Sequence, residues 1–376
     1  MNIVPVFDFG WWSLLFYLFG AVVLIQLLYL IFFYARLAFY KEKPNKEGAL
    51  PPLSVIIAAR NEADNIYENL PFILTQDYPE FEVVVVVNQT VDESKYILGA
   101  YQRQYPNLRF TVIEKSKHLR QGKKLPLNIG IKAAKYDHLV MTDADCKPVS
   151  KNWLREIGQS FSDKKIVLGY GPHTKEKGFL NSVIRFDTAW IAVNYLSFAL
   201  ARLPYMGVGR NLAYTKDAFQ SVNGFKSHYN IASGDDDLFI QEAAKNRNYT
   251  ISLAEESYMY SPSKTTWSSW YRQKSRHYTT SPKYQVIKKA LLGTYPMSLL
   301  ILYISFVILL FNKDFRWITL IVFGVIFLLK WWIQGKCFLK LKEKSFVKLL
   351  PFNELAYAIG IPIIYYTSEV KTTNKW

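Results

Sequence analysis

The sequence predicts an α/β domain built on a parallel sheet, set between an N-terminal membrane-spanning helix and C-terminal spanning or interfacial helices. Short apolar runs alternate with helical patterns from Leu53 to Thr142, the signature of βαβ units. An apolar run from Trp11 to Leu37, uncharged until Arg36, exceeds the ~20 residues that cross a bilayer. A second such run covers Leu291–Phe311.

The segment before the first span carries Asp8 and no Lys or Arg, whereas Arg36, Lys41, Lys43 and Lys46 follow it. The positive-inside rule then places the next domain in the cytoplasm. Without a basic start or a small-residue cleavage site, the span reads as an uncleaved anchor. Pro44–Pro52 is a polar, proline-bounded linker. Beyond it, Leu53–Ala59, Glu82–Val87, Leu108–Ile113 and His138–Thr142 read as strands, and Ala63–Leu74, Asp92–Gln104 and Lys123–Lys135 as helices. The valine and isoleucine runs suit strands buried on both faces.

Asp143-Ala144-Asp145 closes the fourth strand. Ligands of open α/β sheets bind outside the carboxyl ends of the strands. Two carboxylates one residue apart at that edge can share a hard divalent cation, Mn²⁺ or Mg²⁺, completed by water and phosphate oxygens. Taken alone, Asp-x-Asp also occurs in ordinary solvated turns. Further on, Gly207-Val208-Gly209-Arg210-Asn211 is a glycine-rich turn that allows close backbone approach to a ligand. Ser233-Gly234-Asp235-Asp236-Asp237 precedes a helical stretch, Leu238–Ala244, with Ser233 as the expected N-cap and the aspartates in the first turn. Capping explains one or two of these carboxylates; a third invites a chemical role.

No acidic residue occurs from Ser257 to Lys313, where Lys264, Arg272, Lys274, Lys283, Lys288 and Lys289 mingle with Trp267, Trp270 and Tyr271. Such a basic, aromatic stretch lies along a membrane surface. Helical spacing there puts Gln273, Arg276 and His277 on one face. After Leu291–Phe311 comes a short loop, Asn312–Arg316, and a returning span, Trp317–Trp332. Lys336, Lys340, Lys342, Lys344 and Lys348 then form a basic amphipathic segment. Leu355–Tyr366 fits either a tilted span or an interfacial helix. The net charge of +16 suits nucleic acid, an anionic membrane or a phosphorylated substrate. No Lys/Arg block stands alone as a nucleic-acid arm, and the long apolar runs favour the membrane. Two cysteines, Cys146 and Cys337, are too few for a disulfide framework.

In this order the pieces resemble a membrane-bound family-2 glycosyltransferase of GT-A fold, in the branch of ceramide glucosyltransferase, cellulose synthase and hyaluronan synthase. The resemblance runs from about Leu53 to His277. Leu53–Ile57 leading into Ala59, Arg60, Asn61 and Glu62 resembles the first strand and nucleotide-contacting loop. Gly122-Lys123-Lys124 with Leu127-Asn128 is similar to the Gly-Lys…Leu-Asn stretch beside the donor. Asp143, Ala144 and Asp145 match the metal-binding Asp-x-Asp, and Asn223-Gly224-Phe225 the Gly-Gly-Phe turn. Asp235 matches the catalytic base of the Glu-Asp motif, with Asp236 the neighbouring candidate in the three-aspartate run. Gln273, Arg276 and His277 match Gln-x-x-Arg-Trp.

The resemblance implies metal-dependent, inverting transfer of a sugar from a nucleotide-diphosphate donor, expected to be a UDP-sugar, with Asn88, Gln89, Gly209 and Arg210 also lining the donor and His277 completing the metal shell or meeting the pyrophosphate. Two departures bear on specificity. Asn88-Gln89 replaces the usual paired aspartates after the second strand, which bears on which base is bound, since an amide both donates and accepts. His277 replaces Trp, which favours one sugar placed on a lipid-type acceptor over a processive polysaccharide synthase. A non-catalytic membrane scaffold of the same fold is the contrasting class. The expected division is an anchor at 1–40, a cytosolic GT-A domain at 41–262, an interfacial segment at 263–290 and spanning or interfacial helices at 291–376.

Overall fold

A computed structural model describes residues 10–42, 49–116 and 122–367. Asp8, Lys43, Lys46 and the first part of the Pro44–Pro52 linker lie outside the described residues. The chain forms two units, one drawn from Met1–Lys41, Ala189–Leu203 and Gln285–Ser368, the other from Glu42–Thr188 and Pro204–Tyr284.

The second unit is built on a seven-stranded sheet of order β3-β2-β1-β4-β7-β6-β8. Its strands are β1 (Leu53–Ala59), β2 (Phe81–Asn88), β3 (Leu108–Ile113), β4 (His138–Asp143), β6 (Ile166–Leu168), β7 (Leu212–Thr215) and β8 (Tyr249–Ile251); β5 (Lys147–Pro148) and β9 (Met259–Tyr260) pair separately. Strands β1 to β4 are parallel, as the alternating pattern predicts. Every residue of β1 is buried, as is Val83–Val87. Helix Ala63–Leu74 contributes Ile66, Leu70, Ile73 and Leu74 to the core, and helix Trp153–Phe161 contributes Trp153, Leu154, Ile157 and Phe161. Gly130, in helix Lys124–Ala133, lies so close to the sheet that a Cβ there would come within 2.6 Å of Ile56.

The sheet does not stop at β4. Strand β7 pairs antiparallel to it, Leu139 opposite Tyr214, so the Asp143 strand stands mid-sheet. An apolar triplet is too short to declare its direction, and antiparallel pairing needs no crossover helix. Helix Phe179–Leu200 also went unmarked in the sequence. It is apolar over much of its circumference, so it lacks the stripe that betrays an amphipathic helix. Helix Asp237–Ala243 is capped by Asp236, whose carboxylate accepts from the Asp237 N–H, and not by Ser233. Gly234, at φ +103°, turns the chain before the helix can begin.

In the other unit three helices are long and apolar enough to cross a membrane, Trp11–Ala38, Val286–Leu309 and Arg316–Lys340. Leu350–Thr367 is also helical. Polar groups among these helices find one another. Gln26 donates to Ser298 Oγ at 2.8 Å, Lys330 Nζ donates to Gln26 Oε1 at 2.6 Å, and Lys330 pairs with Glu354 at 3.2 Å. Away from water, such groups are tolerated when partnered.

Candidate active site

The carboxyl ends of β1, β2 and β4 carry the first half of the site. Both Asn61 and Gln89, just beyond β1 and β2, take left-handed backbone, at φ 53° and 52°. The Asn61 side-chain oxygen accepts from the Thr90 hydroxyl and the Val91 N–H, each at 3.0 Å, which ties the two loops together. Ala59 is buried at the end of β1, with Arg60 next. Burial, then the nearby carboxylates of Asp145 and Asp143, push the Glu62 carboxyl above its usual range. Asn88 is fully buried; its amide donates to the Gly122 carbonyl at 3.4 Å, while its Oδ1 has no partner among the described residues. Gln89 is likewise buried, with an unpartnered Nε2.

Lys123, at the head of helix Lys124–Ala133, forms an ion pair with Asp143. Burial works against its charge, yet Asp143, Asp235 and Asp236 together hold its ammonium above the usual lysine range. That one lysine therefore senses both the Asp-x-Asp turn and the three-aspartate run. Ligand atoms of Asp143, Asp145 and Cys146 lie within 4.8 Å of one another. Burial and the Asp143 charge push Asp145 up, and the Cys146 thiol is held neutral by burial. Two carboxylates so placed suit a hard cation such as Mn²⁺ or Mg²⁺. The sequence did not single out Cys146, although it directly follows Asp145. His277 is not part of this group.

The second half comes from the Gly207–Asn211 turn and the aspartate run. Asn211 anchors the turn from inside, donating to the carbonyls of Tyr170 and Ser257 at 2.8 Å and accepting from the Trp153 indole at 3.1 Å. The Gly209 N–H donates to Asp236 Oδ2 at 3.0 Å, and a Cβ on Gly209 would touch both Asp235 and Asp236 at 3.6 Å. Burial, then repulsion from Asp235 and Asp237, raises the Asp236 carboxyl to about 7. Asp237 faces elsewhere: it accepts from the Thr280 hydroxyl at 2.5 Å and the Tyr284 hydroxyl at 2.8 Å. The third aspartate is thus a structural anchor for the end of the Gln273–His277 segment.

Arg210 Nη1 donates to Ser261 Oγ at 3.0 Å and lies 3.3 Å from His173 Nε2. Burial and the Arg210 charge push His173 down to about 3, so its ring is neutral. No local pattern marked His173; only the pairing of residue 173 with Ser261 brings it here. Gln273, Arg276 and His277 share helix Trp267–Tyr278 as the spacing predicts. Lys274 between them is buried, donating to Asp187 at 2.7 Å. His277 is itself exposed; crowding by the surrounding protein, then the charges of Arg276, Lys274, Arg210 and Lys123, push it below its usual range.

Comparison with known proteins decides the family. The profile of glycosyl transferase family 21 matches residues 18–376. The chain belongs to that family. This glycosyltransferase is 29% identical over 217 residues to glycosyltransferase AglE of Haloferax volcanii, an alignment covering 56% of this chain and 66% of AglE. It is 25% identical over 249 residues to the probable glycosyltransferase YdaM of Bacillus subtilis, covering 64% of this chain and 57% of YdaM. A shorter match, 25% over 122 residues, is to β-monoglucosyldiacylglycerol synthase of Nostoc, covering 32% of this chain and 25% of that protein. Among solved structures, a mannosyltransferase of Pyrobaculum calidifontis in complex with GDP-Man and Mn²⁺ superposes with TM-score 0.55 at 18% identity, covering 93% of this chain and 98% of that one. The family 21 glycosyltransferase thus has the GT-A-like fold that its motifs led one to expect, and its family fits the family-2 superfamily that the motifs resemble.

Proposed function

We propose that this glycosyltransferase moves a sugar from a nucleotide-diphosphate donor to a membrane lipid-type acceptor, with inversion, on the cytosolic face of the membrane. The observation that carries the reading is the position of Lys123, paired with Asp143 and within electrostatic reach of Asp235 and Asp236. A positive charge close to both sets of carboxylates suits the departure of a diphosphate and the deprotonation of a hydroxyl.

In the reaction, the acceptor oxygen attacks the anomeric carbon from the face opposite the diphosphate. The bond from that carbon to the diphosphate breaks, and the configuration inverts. Asp235 takes the hydroxyl proton, a role worth roughly 10²–10⁴-fold in rate; Asp236, hydrogen-bonded to Gly209, is the alternative base. Lys123 and Arg276 meet the negative charge that grows on the departing diphosphate. Asp143 and Asp145, with the Cys146 thiol close by, would hold a divalent cation. When bound, the cation supplies Lewis-acid neutralisation of the diphosphate. Asn88 and Gln89 would meet the base, Asn88 with an acceptor and Gln89 with a donor that have no partner among the described residues. The fold neighbour holding GDP-Man and Mn²⁺ and the diacylglycerol-modifying relative support the donor and acceptor classes. The basic residues Arg36 and Lys41 after the first span support the cytosolic orientation.

The test is calorimetric binding of UDP and GDP to detergent-purified protein, with and without Mn²⁺. One diphosphate should bind only with Mn²⁺ and lose binding in Asp143→Ala, while Asp235→Asn should bind it and fail to transfer sugar. Metal-independent binding unaffected by Asp143→Ala would overturn the reading.

A further inference from the structure

Lys124 follows the lysine of the site but points elsewhere. Successive helical positions are about 100° apart, so Lys123 reaches Asp143 while the Lys124 side chain is buried against another loop. A buried ammonium is costly unless its donors are used, and lysine has three. Here all three are used: Lys124 Nζ donates to the carbonyls of His228 at 2.6 Å, Ile231 at 3.0 Å and Ser233 at 2.7 Å.

The three carbonyls belong to one short loop, and that loop ends at Gly234-Asp235. Gly234 takes φ +103°, and a Cβ there would come within 2.8 Å of Leu238, so the chain has one way to turn into the aspartate run. On the other side, the Asn88 amide holds the carbonyl of Gly122. The dipeptide Lys123-Lys124 is thereby tied to β2, to β4 through Asp143 and to the loop preceding Asp235.

We propose that Lys124 is a positioning residue: by gathering the carbonyls of His228, Ile231 and Ser233, its ammonium sets where Asp235 stands relative to the Lys123–Asp143 pair. The proposal rests on the assignment of Asp235 as the base. Three carbonyls converging on one point suit the compact, rotatable ammonium of lysine, whereas the planar arginine fork matches a carboxylate or phosphate. Arginine is therefore no substitute here.

The experiment is a double-mutant cycle on the full-length protein, using Lys124→Met, Asp235→Asn and the pair. Diphosphate release from a panel of UDP- and GDP-hexoses with membrane lipid extract gives kcat, and Mn²⁺-dependent binding of UDP and GDP gives affinity. Lys124→Met should keep diphosphate affinity within about threefold and lower kcat about 10–100-fold, the scale expected when a reacting group is displaced by ~1 Å. Because Lys124 acts through Asp235, the pair should be no slower than Asp235→Asn alone. Amide exchange at 229–235 should rise in Lys124→Met and stay unchanged in Asp235→Asn.

Additive losses in kcat, or wild-type turnover in Lys124→Met, would overturn the proposal and leave Asp235 as base untouched. Wild-type turnover in Asp235→Asn would instead remove the base assignment, and amide exchange would still report on the clamp. If Lys124→Met does not fold, Lys124→Gln, which keeps two donors, replaces it. Failure of both to fold would make Lys124 a folding residue and overturn the positioning role.

Discussion

The N–H of Gly209 donates to Asp236 Oδ2 at 3.0 Å, joining a glycine turn to an aspartate run 27 residues further along the chain. A Cβ at Gly209 would lie 3.6 Å from both the Asp235 and Asp236 carboxylates, ordinary van der Waals contact. Gly209→Ala should therefore fold and transfer sugar at a rate within about tenfold of wild type, since only a surface-sized change is involved. Gly209→Leu would fill the space between the carboxylates and should lose at least ~10²-fold in turnover, the scale of a displaced reacting group. Steady-state rates and melting temperatures of the two variants check this; equal rates would remove the turn from the site.

Asp236 offers a pH test. Its carboxyl lies near 7 in the folded protein, raised by burial and by Asp235 and Asp237 from an ordinary 3.8. A raised carboxyl binds its proton more tightly in the folded state, so its contribution to stability is full below ~3.8 and is lost as pH rises through about 7. Asp236→Asn carries no such charge. Relative to this variant, wild type should be most stable near pH 4 and lose that advantage by pH 7.5. Melting temperatures in detergent across that range, without added metal, check it; a constant difference contradicts it.

Asp237 anchors structure and makes no contact that chemistry requires. It accepts from the Thr280 and Tyr284 hydroxyls and from the Leu238 N–H at 2.7 Å. Asp237→Ala leaves the Tyr284 hydroxyl without its acceptor, at about 1–3 kcal/mol for a buried group, whereas the Thr280 hydroxyl can still donate to the His277 carbonyl at 2.9 Å. Chemical denaturation should show the loss. Tyr284→Phe should recover much of the stability difference in a double variant, because it removes one stranded donor.

Asn88 Oδ1 and Gln89 Nε2 are buried without partners among the described residues. Asn88→Ala should cost little stability, since among the described residues its side chain makes a single hydrogen bond, the 3.4 Å contact to Gly122. Diphosphate binding should weaken about tenfold, the size of one hydrogen bond to a base edge at ~1.4 kcal/mol. Comparing UDP, GDP and inorganic pyrophosphate separates the causes. If pyrophosphate weakens equally, Asn88 does not face the base.

Much of this protein was legible from local pattern. Strands β1 to β4 declared themselves by short apolar runs between helical stretches, and the turn after β4 by its paired carboxylates. Likewise, the first, second and third long apolar helices follow from uninterrupted apolar length, a property that neighbours in sequence set among themselves. The Gln273–His277 face was readable because helical spacing is also local. Strand β7 and helix Phe179–Leu200 were not, the first too short and the second too uniformly apolar to show a period.

The sequence by itself determined that a parallel α/β sheet would present Asp143 and Asp145 at its carboxyl edge, in a chain that also carries helices long and apolar enough to cross a membrane, because strand, helix and apolar length are decided within a few turns of chain. Only the tertiary structure decided which partners each aspartate meets. Lys123 meets Asp143 across 20 residues, Gly209 meets Asp236 across 27, and Lys124 meets Ser233 across 109. Three adjacent aspartates look alike in sequence; burial, the Gly209 N–H and the hydroxyls of Thr280 and Tyr284 separate them. Those partners come together only when the chain closes its long loops, which no local pattern records.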